Sequence, residues 1–213
     1  ECLLGLLSGL LDGDGTITAG STDTMVGERR LDGAVAAFNQ AFALCRGEII
    51  ANFNDDAEYQ GFALADGVDY LRVHPEVGQV ALGYGSEGAW NVSSVHPHLA
   101  SSTVYANFGI VRRSIAAEVA HIQGGFWNPL YHTYAADCEF SAWVWRLGHT
   151  VAALPHLHVL DVLEDDSLRA KNQERFGVDT KRMYARWPSA AFRPDGPEPR
   201  VTLAELARYR EIC

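Results

Sequence analysis

Basic residues are scarce. Only 17 Lys and Arg stand against 27 Asp and Glu in 213 residues, a formal charge of −10, and that shortage argues against a broad electrostatic footprint on nucleic acid or on an anionic membrane. Paired cysteines are missing too. Cys2, Cys45, Cys138 and Cys213 form no Cys-x-x-Cys unit and no short spacing, which speaks against a disulfide framework and a structural zinc site and reads as a reduced, cytoplasmic protein, soluble or at a membrane's periphery. The apolar opening, Cys2–Leu11, is far too short to cross a bilayer and lacks the basic flank of a signal peptide. There is no internal repeat and no initiator Met, and the start inside an apolar run leads us to expect a segment upstream.

What is present is a core. Apolar residues make up 47% of the chain, enough for a folded domain of ordinary size. Strand-length apolar runs alternate with helix-period segments, which predicts an α/β architecture. The pattern predicts helices over 33–45, 66–74, 112–122 and 136–147, and strands over 48–53, 78–82, 103–111 and 150–154, with an irregular stretch over 83–98. A charged helical stretch follows Asp161 as far as Trp187, and the proline-rich 192–199 reads as a linker to a short C-terminal helix. We therefore expect one domain over residues 1–190 and a linker with a terminal helix over 191–213.

Chemistry concentrates in a few places. Asn54-Asp55-Asp56 follows the apolar run Ile49–Phe53 directly, so an acidic pair stands at a strand's C-terminal end, where α/β sheets place ligands. Asn and Asp are also ordinary turn residues, and a plain turn explains the triplet taken alone. Asp137 stands near the start of a helix, where it serves either as a base within reach of a substrate or as an N-cap. Pro155-His156-Leu-His158-Val-Leu-Asp161 offers nitrogen and oxygen donors close together. Two other motifs point elsewhere. Leu3–Ile17 looks like a single LAGLIDADG copy, but that endonuclease family packs two, and the net charge is wrong for DNA; Asp12-Gly-Asp14-Gly-Thr16 fails as an EF-hand because Ile17 stands where the turn needs Gly.

Four segments in order resemble the large inverting family of GT-A glycosyltransferases called family 2. They are Gly20-Ser-Thr-Asp-Thr24 with Gly33–Ala41; Asn54-Asp55-Asp56 in place of the Asp-x-Asp motif; His74–Gly78 with Asn107–Arg113; and Ala136-Asp137-Cys-Glu-Phe140 through His149. The resemblance spans roughly 16–165 and implies a Rossmann-related, mixed and mostly parallel sheet flanked by helices in a single domain. It implies a nucleotide-sugar donor (UDP-, GDP- or dTDP-linked), a hydroxyl acceptor and Mn2+ or Mg2+. It assigns Ser21, Asp23, Gly33, Asn39, Asn54 and Asp55 to the donor, Asp56 with Asp161 (or, second, His158) to the metal, and Asp137 to the role of base, with Glu139 structural or second choice. The family's first strand has no counterpart in residues 1–15, and Thr18 and Ala19 stand where it carries a carboxylate for the base. A non-catalytic nucleotide- or partner-binding domain of the same shape, or an oligomer that completes the sheet edge, is the rival reading.

Overall fold

The computed structural model describes residues 24–26, 29–31, 34–52, 57–86, 89–91, 104–161, 167–187 and 199. A two-stranded antiparallel ribbon, β1 (Thr24–Val26) with β2 (Arg29–Leu31), precedes helix α1 (Ala34–Leu44). There follow β3 (Ile49–Asn52), β4 (Ala57–Tyr59), α2 (Ala63–Val73), β5 (Val77–Ser86), β6 (Ala89–Asn91), β7 (Gly109–Arg112), α3 (Arg113–Gln123), α4 (Ala136–Arg146), β8 (Thr150–Asp161) and α5 (Ser167–Arg186). None of the described helices is long and apolar enough to cross a membrane.

The helices form where apolar residues recur at helical spacing. In α2, Ala63, Gly67, Val68 and Leu71 are buried, one stripe turned to the sheet. Gly67 lets that helix lie close, because a side chain there would run into Ile110. The αL glycine Gly124 ends α3, its N–H returning to the Ala120 carbonyl.

A six-stranded mixed sheet runs in the order β3-β7-β5-β8-β4, with β6 added to β5. The expected mixed sheet is there, but its parallel share is one pairing among the described ladders. β5 and β8 run parallel, and the other four pairings are antiparallel, two of them because β7 enters reversed between β3 and β5. Strand alternation sorts the core into two layers. Val80, Leu82 and Ile110 face α2, while Ala81, Val111 and Val151 face a cluster that includes Val35 of α1, Ile115 of α3, Phe140 and Val144 of α4 and Met183 of α5. The result is one α/β domain.

β1, β2 and β4 have no counterpart among the expected strands, and β5 runs past Leu82 to Ser86 with β6 beside it. Two further strands differ from expectation, each for a local reason. Residues 104–108 are not strand: Ser141 Oγ accepts the Ala106 N–H at 3.0 Å and Trp145 Nε1 donates to the Val104 carbonyl at 2.9 Å, so α4 takes the bonds a neighbouring strand would have made. β8 does not stop at Leu154. The register passes from Leu82↔Leu154 to Gly83↔His158, so Pro155, His156 and Leu157 bulge out and the strand resumes to Asp161.

β3 and β4 stand at opposite ends of the strand order, yet only residues 53–56 connect them. Five residue steps reach about 17 Å, whereas four strand spacings in a flat sheet span about 19 Å. The sheet therefore curls.

Candidate active site at the ends of the strands

The registers set a common level across the sheet: Asn52 pairs with Gly109, and Gly109 with Ala81. α4 runs antiparallel to β5. Its Ser141 Oγ donates to Gln79 Oε1 at 2.9 Å, and its later Val144 lies beside Gly78. One helical turn back from Ser141 is about 6 Å, or two strand residues beyond Gln79. Asp137 therefore stands level with Ala81, Gly109 and Asn52, the last strand residue before Asn54-Asp55-Asp56. On the far side of that triplet Ala57 is the register partner of Asp161. Asp56 is thus one peptide link from the residue that Asp161 faces.

Asp137 is partly exposed in the first turn of α4, and its Oδ1 accepts the Cys138 N–H at 2.8 Å. Burial pushes its carboxyl up to about 6, against the downward pull of backbone hydrogen bonds. A carboxylate poised there is ionised at neutral pH yet basic enough to take a proton. The N-cap position belongs to Ala135, which makes no side-chain capping bond. Glu139 has a different fate. Fully buried, it accepts from Asn128 Nδ2 at 2.8 Å, from Arg186 at 3.1 and 3.2 Å and from the Tyr131 hydroxyl, so it is a structural residue.

Ser21, Asp23, Gly33, Asn54, Asp55 and Asp56 lie outside the described residues. Asn39 is turned to another use: Nδ2 donates to the Trp127 carbonyl and Oδ1 accepts the Trp127 N–H, both at 2.7 Å. Gly125 has no side chain to spare, since a Cβ there would come within 2.7 Å of that amide. Asn39 thus anchors the Gly124–Asn128 turn. His158 pairs with Gly83, and its carbonyl accepts the Gln60 N–H at 2.9 Å. It lies three strand residues, about 10 Å, short of Asp161, level with Gln60 rather than with Ala57.

Arg112 is occupied by the carbonyls of Leu71, His74 and Val77, closing the C-terminal end of α2, and Arg113 reaches the Arg46 carbonyl at 3.4 Å. Trp143 is buried edge-to-face against Trp187, and Trp145 is partly buried on Val104, so both rings serve packing. Among the described residues no group of three or more His, Cys, Asp or Glu could hold a metal. By residue type alone, Asp161 and Asp56, the residue before its register partner Ala57, are hard oxygen donors of the kind Mg2+ and Mn2+ prefer.

Sequence reading missed Asp179, Arg182 and Arg186, which face inward from α5. Their signal was the spacing of three, then four, within a stretch read only as charged and helical.

No protein-family model matches the sequence, and no curated protein does. Among the solved structures similar in shape is the mannosyltransferase PcManGT from Pyrobaculum calidifontis, in complex with GDP-Man and Mn2+, with a TM-score of 0.52. The fold is GT-A-like. Identity over the match is 20%, which supports the fold alone. The match covers 80% of this chain and 49% of that one, so the chain spans about half the length of its GT-A-like neighbour.

Proposed function

We propose that this domain transfers a sugar from a nucleoside diphosphate sugar to an acceptor hydroxyl with inversion, in the manner of the family 2 enzymes its motifs resemble. The observation that supports the reading is the pairing of Ala57, the residue after the acidic triplet in sequence, with Asp161 at the end of β8. Asp56 and Asp161 are the residues that would hold Mn2+ or Mg2+, which would supply positive charge to offset the negative charge developing on the leaving diphosphate. Asn54 and Asp55 are suited to hydrogen bonds with ribose or phosphate. Asp137 takes the proton from the acceptor hydroxyl as its oxygen bonds to the anomeric carbon. The bond from that carbon to the diphosphate breaks, and its electron pair leaves with the phosphate oxygen.

The likeness to a structure holding GDP-Man and Mn2+ supports a nucleotide-sugar donor and a divalent cation without naming this protein's own. A second reading, binding without transfer, draws on Asn39, an expected donor residue that is spent on the Trp127 backbone instead.

Nucleotide release from GDP-mannose and UDP-glucose, with and without Mn2+, separates the two. Transfer predicts metal-dependent release that falls by at least about 100-fold in Asp137→Asn, the ordinary worth of a general base, with metal affinity lost in Asp56→Ala and Asp161→Ala. Metal-dependent binding with no release by the unaltered protein favours the second reading.

A further inference from the structure

Helix α5 directs three side chains at the segment leading into α4. Asp179 is fully buried, and its Oδ2 accepts the backbone N–H groups of His132, Thr133 and Tyr134 at 3.1, 3.1 and 3.2 Å. Arg182 donates to the Leu130 carbonyl and stands 3.4 Å from Asp179 Oδ1. Arg186 makes two bonds to Glu139, at 3.1 and 3.2 Å. The spacing 179, 182, 186 puts all three on one helical face.

Between these fixed points the chain is strained. Ala135 has φ 62, the one non-glycine among the described residues with a positive φ. An L-residue resists that conformation and keeps it only where the surroundings over-determine it. Here the three amides just before Ala135 are held by Asp179, and the side chain four residues after it is held by Arg186. Asp137 lies between the two. The Arg186–Glu139 pair is 5% and 0% exposed, and a buried ion pair is a poor route to stability for its own sake, since apolar residues of similar volume serve as well. What it does supply is a defined orientation.

We propose that Asp179 and Arg186 are positioning residues: α5 is a clamp that holds the strained entry to α4 and thereby aims Asp137 at the acceptor oxygen. The second half of the proposal rests on the reading of Asp137 as the base. A clamp of this kind acts on the reacting geometry without touching the donor.

Hydrogen exchange on the whole chain, with parallel kinetics on GDP-mannose and UDP-glucose in Mn2+, tests it. In Asp179→Asn, amides of residues 132–139 should exchange about tenfold faster while those of β5 and β8 hold, the mark of local rather than global opening. Adding Ala135→Gly, which removes the strain the clamp opposes, should restore part of that protection. Donor kcat should fall about tenfold with KM unchanged, the pattern of an interaction made only in the transition state. Faster exchange spread over the entire chain, unchanged exchange in 132–139, or local opening with unaltered kcat would overturn the proposal. If the unaltered protein releases no nucleotide, the base assignment falls, and the exchange data alone decide whether α5 clamps the turn.

Discussion

Asp137 gains chemical use from a placement that costs stability. Its carboxyl is raised from an ordinary 3.8 to about 6, so the fold favours the protonated form. The stability linked to this group is therefore fully present below about pH 3.8 and is lost as pH rises through about 6. The whole shift is worth at most about 3 kcal/mol. Asp137→Asn removes the charge while keeping an oxygen for the Cys138 N–H. Denaturant unfolding should find it about 1–3 kcal/mol more stable than the parent at pH 8 and equal to it near pH 3.5. An N-cap role predicts the opposite sign, a loss at pH 8. Activity should rise with pH through about 6 and then level, as the base ionises. Asp137 was singled out through the resemblance of Ala136–Phe140 to a family motif, since an acid at a helix start, with Glu139 in the same turn, reads on its own as readily as an N-cap. Asn39 was not legible as an anchor: its partner Trp127 is 88 residues away, and nothing local announces it. Asp179 and Arg186 were hidden for the same reason, as charged residues of a charged helix whose partners lie 45 to 47 positions back.

At the scale of elements, α1, α3 and α4 were legible to within a residue, while α2 begins three residues before its expected start. α1, α3 and α4 carry apolar spacing and end at or near glycines, local signals that tertiary context leaves intact. Strands were less so. Pro155 reads as a strand stop, and only the neighbouring strand shows that β8 bulges past it to reach Asp161. Gly83 makes the bulge fit: a Cβ there would stand 2.7 Å from the Pro155 carbonyl oxygen, a backbone atom with little room to move. Gly83→Ala should destabilise the domain by about 1–3 kcal/mol, and, by shifting β8 beyond the bulge, weaken Mn2+ binding as followed by calorimetry. Asn39→Ala should cost about 2 kcal/mol through two lost hydrogen bonds, loosening the Gly124–Asn128 turn seen by hydrogen exchange and leaving Mn2+ affinity intact. Equal loss of Mn2+ affinity would return Asn39 to the donor site.

For the whole molecule, the α/β class followed from alternation of strand and helix patterns and the mixed sheet from the family resemblance, while the curl and the small parallel share did not follow from either. It arises from non-local constraints: a four-residue link between opposite edge strands, and a bulge that lets β8 bend. The curl lets Ala57, which follows the acidic triplet in sequence, pair with Asp161, and α4 brings Asp137 level with Asn52, two residues before the triplet. The central claim is that these parts make one metal-dependent nucleotide-sugar site. Titrating GDP and UDP into the protein by calorimetry, each with and without Mn2+, tests it most directly. The account predicts binding of one nucleotide that requires Mn2+ and disappears in Asp161→Ala. Binding of neither by folded protein, or binding indifferent to Mn2+ and to Asp161, would contradict it.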